Sequence, residues 1–321
     1  MQSILEDLKK NKFEKVAGDA SFRKFYRIKL NNKNYILIYC SKEKKNNLEN
    51  YAKVNFFLVK NRILAPSLYK IDQKKNYMII EDFGSKTFFT IIKDKKNKLN
   101  YYKKIIDCLI QIQSIPFNQS LKRNINKQYN NKILFKESNL FFEWYVPKFI
   151  SQKKEIKIFK KKINIILLKL FNKLFFQNKF FVHRDFHVSN LMSVKNKIGI
   201  IDSQDALIGN PSYDLLSLID DVRIKTNDKL KKQIYDYYLL KCNKNIKKNK
   251  KFFKDDFDIL SVQRGLKILG IFSRLYLRDG KKSYLHYIPY MWKLLHNRLK
   301  NPLFNELNDV LNHYIPKSKR V

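Results

Sequence analysis

Apolar positions recur at two periods along this chain, and the switch between them marks its elements. From Phe13 to Cys40, aliphatic and aromatic residues form short runs broken by turn residues, a pattern that predicts strand, tight turn, strand, turn, strand. The second run, Phe22 to Leu30, ends at the hairpin turn Asn31-Asn32-Lys33-Asn34, and the third is Tyr35-Ile36-Leu37-Ile38-Tyr39. Ahead of them, Ile4, Leu5 and Leu8 share one face of a short helix within residues 3–12. Leu48, Tyr51, Ala52, Asn55, Leu58 and Val59 fall at helical spacing, with Glu49 in the first turn. Ala65-Pro66 restarts the chain as a strand, and Tyr77-Met78-Ile79-Ile80 is a buried strand closing on Glu81-Asp82-Phe83-Gly84. From there the period is helical. A helix from about Tyr101 to Ile115 is stopped by Pro116, and a polar, Asn-rich loop covers residues 118–132. Within Ile156 to Phe176 the apolar residues recur at three and four with lysines on the other face, and everything from Asp256 onward is helical. A basic amphipathic helix could lie on a membrane, but a core helix is the commoner cause of the same periodicity. The expectation is an α+β chain, β-rich over residues 1–84 and helical over residues 85–321.

Composition changes this picture in two places. The formal charge of +39 is large enough to attract polyanions. The excess is mostly Lys, scattered in short runs such as Lys93-Asp94-Lys95-Lys96 and accompanied by abundant Asn and Ile, the profile of a strongly AT-biased coding sequence. Such lysines belong to solvated faces and loop tips, so no specific nucleic-acid partner is expected. No apolar run is long enough to span a bilayer, and the first residues do not form a signal peptide. Cys40, Cys108 and Cys242 are far apart and read as reduced thiols, which points to a cytoplasmic protein without a membrane partner.

The candidate chemistry lies in Val182-His183-Arg184-Asp185-Phe186-His187-Val188-Ser189-Asn190-Leu191. It has the H-R-D-x-x-x-x-N spacing of the catalytic loop in enzymes with the protein-kinase fold. Asp202 follows twelve positions after Asn190, at the end of an apolar strand and beyond a hairpin turn at Lys195-Asn196-Lys197. Phosphoryl transfer needs a carboxylate to take the proton of the attacking hydroxyl and oxygen ligands for Mg²⁺. Asp185 would be that base, and Asn190 and Asp202 the ligands. A zinc site on His183 and His187 is the rival, but position 184 is Arg rather than Glu and the segment lacks a helical pattern.

Two further segments fit the kinase-like expectation. Gly18-Asp19-Ala20-Ser21-Phe22-Arg23 lies between the first two strands, where backbone N–H groups and the Ser21 hydroxyl would cover phosphates; with a single Gly it could equally be a plain β-turn. Glu81-Asp82-Phe83-Gly84 would be a hinge holding adenine through backbone groups, or an ordinary strand end. Only a dozen positions separate Asp202 from Asp214, which leaves no room for the activation loop of a protein kinase and favours a small-molecule kinase. The helix through Leu266, Leu269, Phe272 and Leu275 carries a basic row at Arg264, Lys267, Arg274 and Arg278. That row is either a solvent-facing side or a wall that grips a carboxylate or sugar hydroxyls.

In these motifs the chain resembles the aminoglycoside phosphotransferase superfamily and, within it, the bacterial anomeric sugar kinases that phosphorylate N-acetylmuramate and N-acetylglucosamine at C1 in cell-wall recycling. The resemblance is carried by Gly18 to Arg23 with Tyr26-Arg27, Glu143-Trp144, His183 to Met192, Ile201 to Ala206, and Leu266 to Phe272 with Arg274-Leu275 and Arg278 to Lys281. It implies a two-lobed protein-kinase-like fold with a small antiparallel-sheet lobe, a larger helical lobe, ATP between them and Mg²⁺ as cofactor. It also implies Asp185 as base, Asn190 and Asp202 as metal ligands, and Gly18, Asp19, Ser21, Arg23, Glu81 and Asp82 on the nucleotide. Glu143, Trp144, Arg264, Lys267 and Arg274 would meet the sugar, in a monomer or weak dimer.

Two departures stand out. Ser203 follows the metal aspartate where family members commonly carry Phe, and neither Ile38 nor Tyr39 supplies the usual lysine of the third strand. Lys42, Lys44 and Arg23 are the candidates to substitute for it, and the sequence does not choose among them. The alternatives are a kinase of another small metabolite, such as an amino alcohol or aminoglycoside, and a catalytically silent kinase-like binding module.

Overall fold

The computed structural model describes residues 13–16, 23–40 and 46–320. The helix expected within residues 3–12, the phosphate turn with Gly18, Asp19 and Ser21, and Lys42 and Lys44 lie outside the described residues. The chain forms two compact units, residues 1–126 with 183–207 and residues 127–182 with 208–321.

The first unit is built on a five-stranded antiparallel sheet in the order β1-β2-β3-β5-β4. Its strands are β1 (Glu14–Val16), β2 (Arg23–Leu30), β3 (Lys33–Cys40), β4 (Leu68–Asp72) and β5 (Tyr77–Glu81). The β2–β3 turn forms as the sequence predicts, because Asn31 and Asn32 tolerate the positive φ angles of 47° and 62° found there. Alternation then sorts the side chains. Ile38, Cys40, Met78 and Ile80 face helix α1 (Asn46–Lys60) and pack on its Leu48 and Tyr51, while Ile28, Leu37, Tyr39, Tyr77 and Ile79 form a separate cluster. Helices α2 (Phe88–Ile92), α3 (Leu99–Gln113) and α4 (Gln119–Asn124) follow. Helix α4 occupies a portion of the stretch expected to be loop. The Asn118 side chain caps it by accepting the Leu121 N–H at 3.1 Å, a local signal available in the sequence.

The boundary expected after Gly84 does not separate the units. The hairpin of β7 (Leu191–Val194) and β8 (Lys197–Ile200) belongs to the first unit, tied there by Ser193 N–H to the Lys86 carbonyl and Ile200 N–H to the Leu64 carbonyl, both 2.8 Å. A Cβ on Gly199 would come within 2.6 Å of the Phe83 ring, so the absent side chain lets that ring lie against β8.

The second unit is helical apart from short strands. It contains α5 (Asn131–Leu140), a π-turn (Phe141–Tyr145), α6 (Lys153–Phe171), β6 (Phe180–Val182), paired with β9 (Leu207–Gly209), α7 (Ser212–Ile219), α8 (Asp228–Lys241), α9 (Lys244–Lys248), α10 (Lys250–Leu277), α11 (Ile288–Leu299) and α12 (Asn305–Tyr314). Helix α10 is its axis, buried along most of its length. Asp256 near its start accepts the N–H groups of Phe175 and Phe176 at 2.8 and 2.9 Å and so fixes the turn that follows α6. Helix α6 is a core helix on its Phe159, Ile163, Ile166, Leu167 and Leu170 face, as its periodicity predicts. Among the described residues no helix is long and apolar enough to cross a membrane.

Candidate active site

The residues of the H-R-D-x-x-x-x-N motif come together in the first unit through a tightly braced loop. Arg184 has a φ of 74°, a costly conformation for a residue with a side chain. Its guanidinium turns back to the Asp205 carbonyl at 3.2 Å and lies 3.8 Å from the Asp205 carboxylate. His183, fully buried, donates its Nε2–H to the Ile201 carbonyl at 3.0 Å. The Asn190 amide Nδ2 donates to the Asp185 carbonyl at 3.0 Å, and the Ile201 N–H bonds to the Asn190 carbonyl at 3.1 Å. These bonds fix Asp185, Asn190 and the strand leading to Asp202 in one rigid group. Because Asn190 directs its NH₂ to the protein, its Oδ1 is the end left to accept from a cation.

Asp202 sits at the tip of β8 in the left-handed region, with φ 64° and ψ 37°. Its Oδ1 accepts from Gln204 Nε2 at 2.8 Å and lies 3.7 Å from the Arg23 guanidinium. The Arg23 side chain is 7 % exposed and that of Asp202 44 %, so the cation is interior while one side of the carboxylate still meets solvent. Desolvation on its protein-facing side pushes the carboxyl above the usual aspartate range. The nearby Asp185 carboxylate pushes the same way, against the Gln204 amide, Arg23 and His183. Two carboxylates that repel each other beside one interior arginine form a site that gains from a further cation.

The donor set fits magnesium. Asp202 and Asn190 offer hard oxygens, and among the described residues no three His, Cys, Asp or Glu side chains gather as a complete metal cage. A two-ligand site suits an ion that keeps waters and phosphate oxygens in its shell. The zinc alternative fails on geometry, because His183 and His187 lie in the loop rather than on a helix and His183 Nε2 faces a carbonyl.

At the end of β5, Asp82 is an anchor. Its carboxylate takes a two-point ion pair from Arg27, with Nε at 2.5 Å and Nη2 at 3.3 Å, and also accepts the Gly84 N–H at 2.8 Å. Glu81 bonds to the Ser67 backbone through its own N–H at 2.9 Å and its carboxylate at 3.3 Å. Neither side chain is set to hold a nucleotide, so any role at the hinge falls to backbone groups.

The expected sugar-side residues lie in the second unit and divide into two groups. Lys267 is buried, pairs with Glu137 at 2.9 Å and reaches the Tyr213 hydroxyl at 3.4 Å. Glu137 also accepts from Tyr129 and, at 3.4 Å, from Gln263. Arg264 is buried on the same stretch of helix and influences Tyr213. The expected basic row is therefore not one continuous wall, since Lys267 is buried and ion-paired with Glu137 in a network that binds α10 to α5. Arg274 is different. It is half-buried, its Nε is shielded from water with no hydrogen-bond partner in the protein, and the Glu143 carboxylate is near enough to support its charge. Glu143 is exposed and Trp144 half-exposed because the π-turn rotates them out of the aromatic core of Phe141, Phe142 and Tyr145.

Sequence reasoning missed Tyr51, Asn55 and Gln204. Tyr51 accepts the Asp202 N–H at 3.2 Å, and Asn55 accepts the Ser203 hydroxyl at 2.6 Å. The available signal was Asn55 itself, an amide on the apolar stripe of α1, which calls for a buried partner.

Comparison with known proteins places this geometry. The model of the phosphotransferase enzyme family matches residues 12–245. An N-acetylmuramate/N-acetylglucosamine kinase of Neisseria meningitidis serogroup B is 28 % identical over 279 residues, 85 % of this chain and 81 % of that protein. A protein of the same name from Pseudomonas putida is 26 % identical over 92 % of this chain and 86 % of its own length. Among solved structures, the gentamicin complex of the aminoglycoside phosphotransferase APH(2″)-IIa superposes with a TM-score of 0.65 at 15 % identity, covering 92 % of this chain and 98 % of that one. A Plasmodium vivax ethanolamine kinase gives 0.63 at 13 % identity, covering 89 % of this chain and 82 % of that one. The expected α+β, protein-kinase-like fold is thus the fold observed.

Proposed function

The chain belongs to the phosphotransferase enzyme family, and on that premise we propose that it transfers the γ-phosphate of ATP to the anomeric hydroxyl of an N-acetylated amino sugar, N-acetylmuramate or N-acetylglucosamine. The observation that carries this reading is the convergence of Asp185, Asn190 and Asp202 beside Arg23 in one braced group. The choice of sugar is supported by the relatives of that name, which match along most of their length.

Asp185 accepts the proton of the C1 hydroxyl as that oxygen bonds to the γ-phosphorus, and ADP leaves with the electrons of the broken P–O bond. An anomeric hydroxyl is more acidic than an ordinary alcohol, so the base has a modest task and positioning carries more of the rate. Asn190 and Asp202 would hold Mg²⁺, which when bound neutralises phosphate charge. Arg23 stands beside Asp202 and supplies a fixed positive charge from β2, where neither Ile38 nor Tyr39 of β3 is a lysine. The turn with Gly18, Asp19 and Ser21 would cover the phosphates through backbone N–H groups, and backbone groups at Glu81 and Asp82 would receive the adenine. On the sugar side, the unpartnered Nε–H of Arg274 and the exposed Glu143 supply a donor and an acceptor, and Trp144 supplies a face for the ring. Arg264 and Lys267 support that wall from within. The site takes a small sugar, needs no nucleic-acid or membrane partner, and suits a cytoplasmic enzyme.

The test is ADP release from ATP and Mg²⁺ with a panel of reducing sugars. Wild-type protein should turn over an N-acetylated amino sugar, and Asp185→Ala should lose turnover by at least about a hundredfold while keeping its melting temperature. Unchanged turnover in Asp185→Ala overturns the assignment of the base.

A further inference from the structure

Asp202 holds a left-handed backbone conformation, uncommon for residues with side chains though cheaper for Asp than for most, and neighbouring contacts fix it there. The strand that precedes it does not suffice, because the ladder of β7 and β8 ends at Ile200. Besides the Gln204 and Arg23 contacts to its carboxylate, the turn is held through its backbone and the Ser203 side chain by one face of α1. Tyr51 Oη accepts the Asp202 N–H at 3.2 Å. One helical turn later, Asn55 Oδ1 accepts the Ser203 hydroxyl at 2.6 Å, and Asn55 Nδ2 donates to the Pro66 carbonyl at 2.9 Å. Asn55 is 1 % exposed and Ser203 is fully buried, so water cannot replace either bond. Both ends of the Asn55 amide are thus engaged, bracketing Ser203 against the chain at Pro66.

We propose that Tyr51, Asn55 and Ser203 are positioning residues, a buried latch that holds the Asp202 turn in shape before metal and nucleotide arrive. The proposal rests on the reading of Asp202 as a magnesium ligand. It assigns a bonding role to Ser203, at a place where family members commonly carry Phe. The latch reaches no reacting atom. It removes the cost of organising the turn from each binding event, as preorganisation does at other sites.

The experiment uses the full chain and compares Ser203→Thr with Ser203→Val, which have nearly equal volume and differ in the hydroxyl. Tyr51→Phe, which deletes the hydroxyl that accepts the Asp202 N–H and also bonds Asn55, is a second variant, and Asp202→Asn is measured in parallel. The first readout is hydrogen exchange of the Asp202 amide in metal-free, nucleotide-free protein. Ser203→Val and Tyr51→Phe should exchange about tenfold faster than wild type, the effect of one lost buried hydrogen bond, and Ser203→Thr should restore protection. The second is the Mg²⁺ concentration for half-maximal turnover, which should rise about tenfold in the same two variants, with kcat recovering at saturating Mg²⁺ and KM for the sugar unmoved. Equal exchange and equal Mg²⁺ dependence in Ser203→Thr and Ser203→Val, with Tyr51→Phe like wild type, would overturn the latch. Mg²⁺-dependent turnover surviving in Asp202→Asn would instead overturn the ligand assignment beneath it.

Discussion

Gly270 offers a demanding test of the packing that presents the proposed sugar-side residues. It lies within α10 where that helix crosses the Leu140–Phe141 peptide. A Cβ at Gly270 would stand 2.3 Å from the Leu140 carbonyl carbon, 2.5 Å from its oxygen and 2.6 Å from the Phe141 nitrogen, where ordinary contact begins at 3.4 Å. Gly270→Ala must therefore push the helix and the peptide apart by about 1 Å, and no rotamer change can relieve the contact. Two effects oppose each other. Alanine is favoured over glycine inside a helix by roughly 1 kcal/mol. Overpacking costs about 1–3 kcal/mol and occasionally more, and a clash of backbone with backbone belongs at or beyond the upper end. Overpacking should win by about 2 kcal/mol, lowering the melting temperature by about 4–8 °C. The displaced peptide begins the π-turn that carries Glu143 and Trp144, so KM for the sugar should rise several-fold while KM for ATP holds. Calorimetric melting and steady-state kinetics on the same preparation decide the matter. A variant that melts at or above wild type, with an unchanged sugar KM, would refute the close crossing.

Two further outcomes follow from buried charges in the second unit. Lys267→Met leaves the Glu137 carboxylate buried with its cation removed and should cost about 3–5 kcal/mol in denaturant unfolding, whereas Lys267→Met/Glu137→Leu should recover most of the loss; a double variant no better than the single would show that the pair is not coupled. Burial pushes the Asp220 carboxyl up, but Arg298 and Lys231 together outweigh it and hold the group below its ordinary value of 3.8. The ionised form is therefore favoured by folding. Its contribution is present above the ordinary aspartate pKa and is lost as pH falls through the lower folded value. Asp220→Asn should accordingly destabilise the protein at neutral pH and flatten the acid limb of its stability profile, and parallel acid limbs in mutant and wild type would contradict this.

The sequence made the local elements legible and the long-range partnerships mostly not. Strand periodicity, the Asn31-Asn32 turn and the His183-to-Asn190 spacing are contained in neighbouring residues, and each appears where expected. Helix α4 was hidden in a run rich in Asn and Lys, because its signal is one cap at Asn118 rather than an apolar stripe. The two compact units do not divide at Gly84, because hydrogen bonds from Ser193 and Ile200 tie the β7–β8 hairpin to the first unit, and no local pattern records a return across more than a hundred residues. The same blindness applied to Lys267, read as part of a solvent-facing side or a sugar-gripping wall while its ion-pair partner Glu137 lies on another helix, and to Asn55, whose partner Ser203 lies 148 positions away. Arg23 is an intermediate case. It stood among three candidates for a missing cation, and only folding brings it beside Asp202.

The central claim is that this cluster of oxygen ligands and one base phosphorylates a sugar at its reducing end. The most direct measurement is phosphorus NMR of the product formed from ATP, Mg²⁺ and N-acetylmuramate or N-acetylglucosamine. Coupling of the new phosphorus signal to the anomeric proton, with one ADP released per reducing end lost, is the predicted result. ATP turnover that leaves every reducing end intact, or a phosphate attached to another carbon, would contradict it.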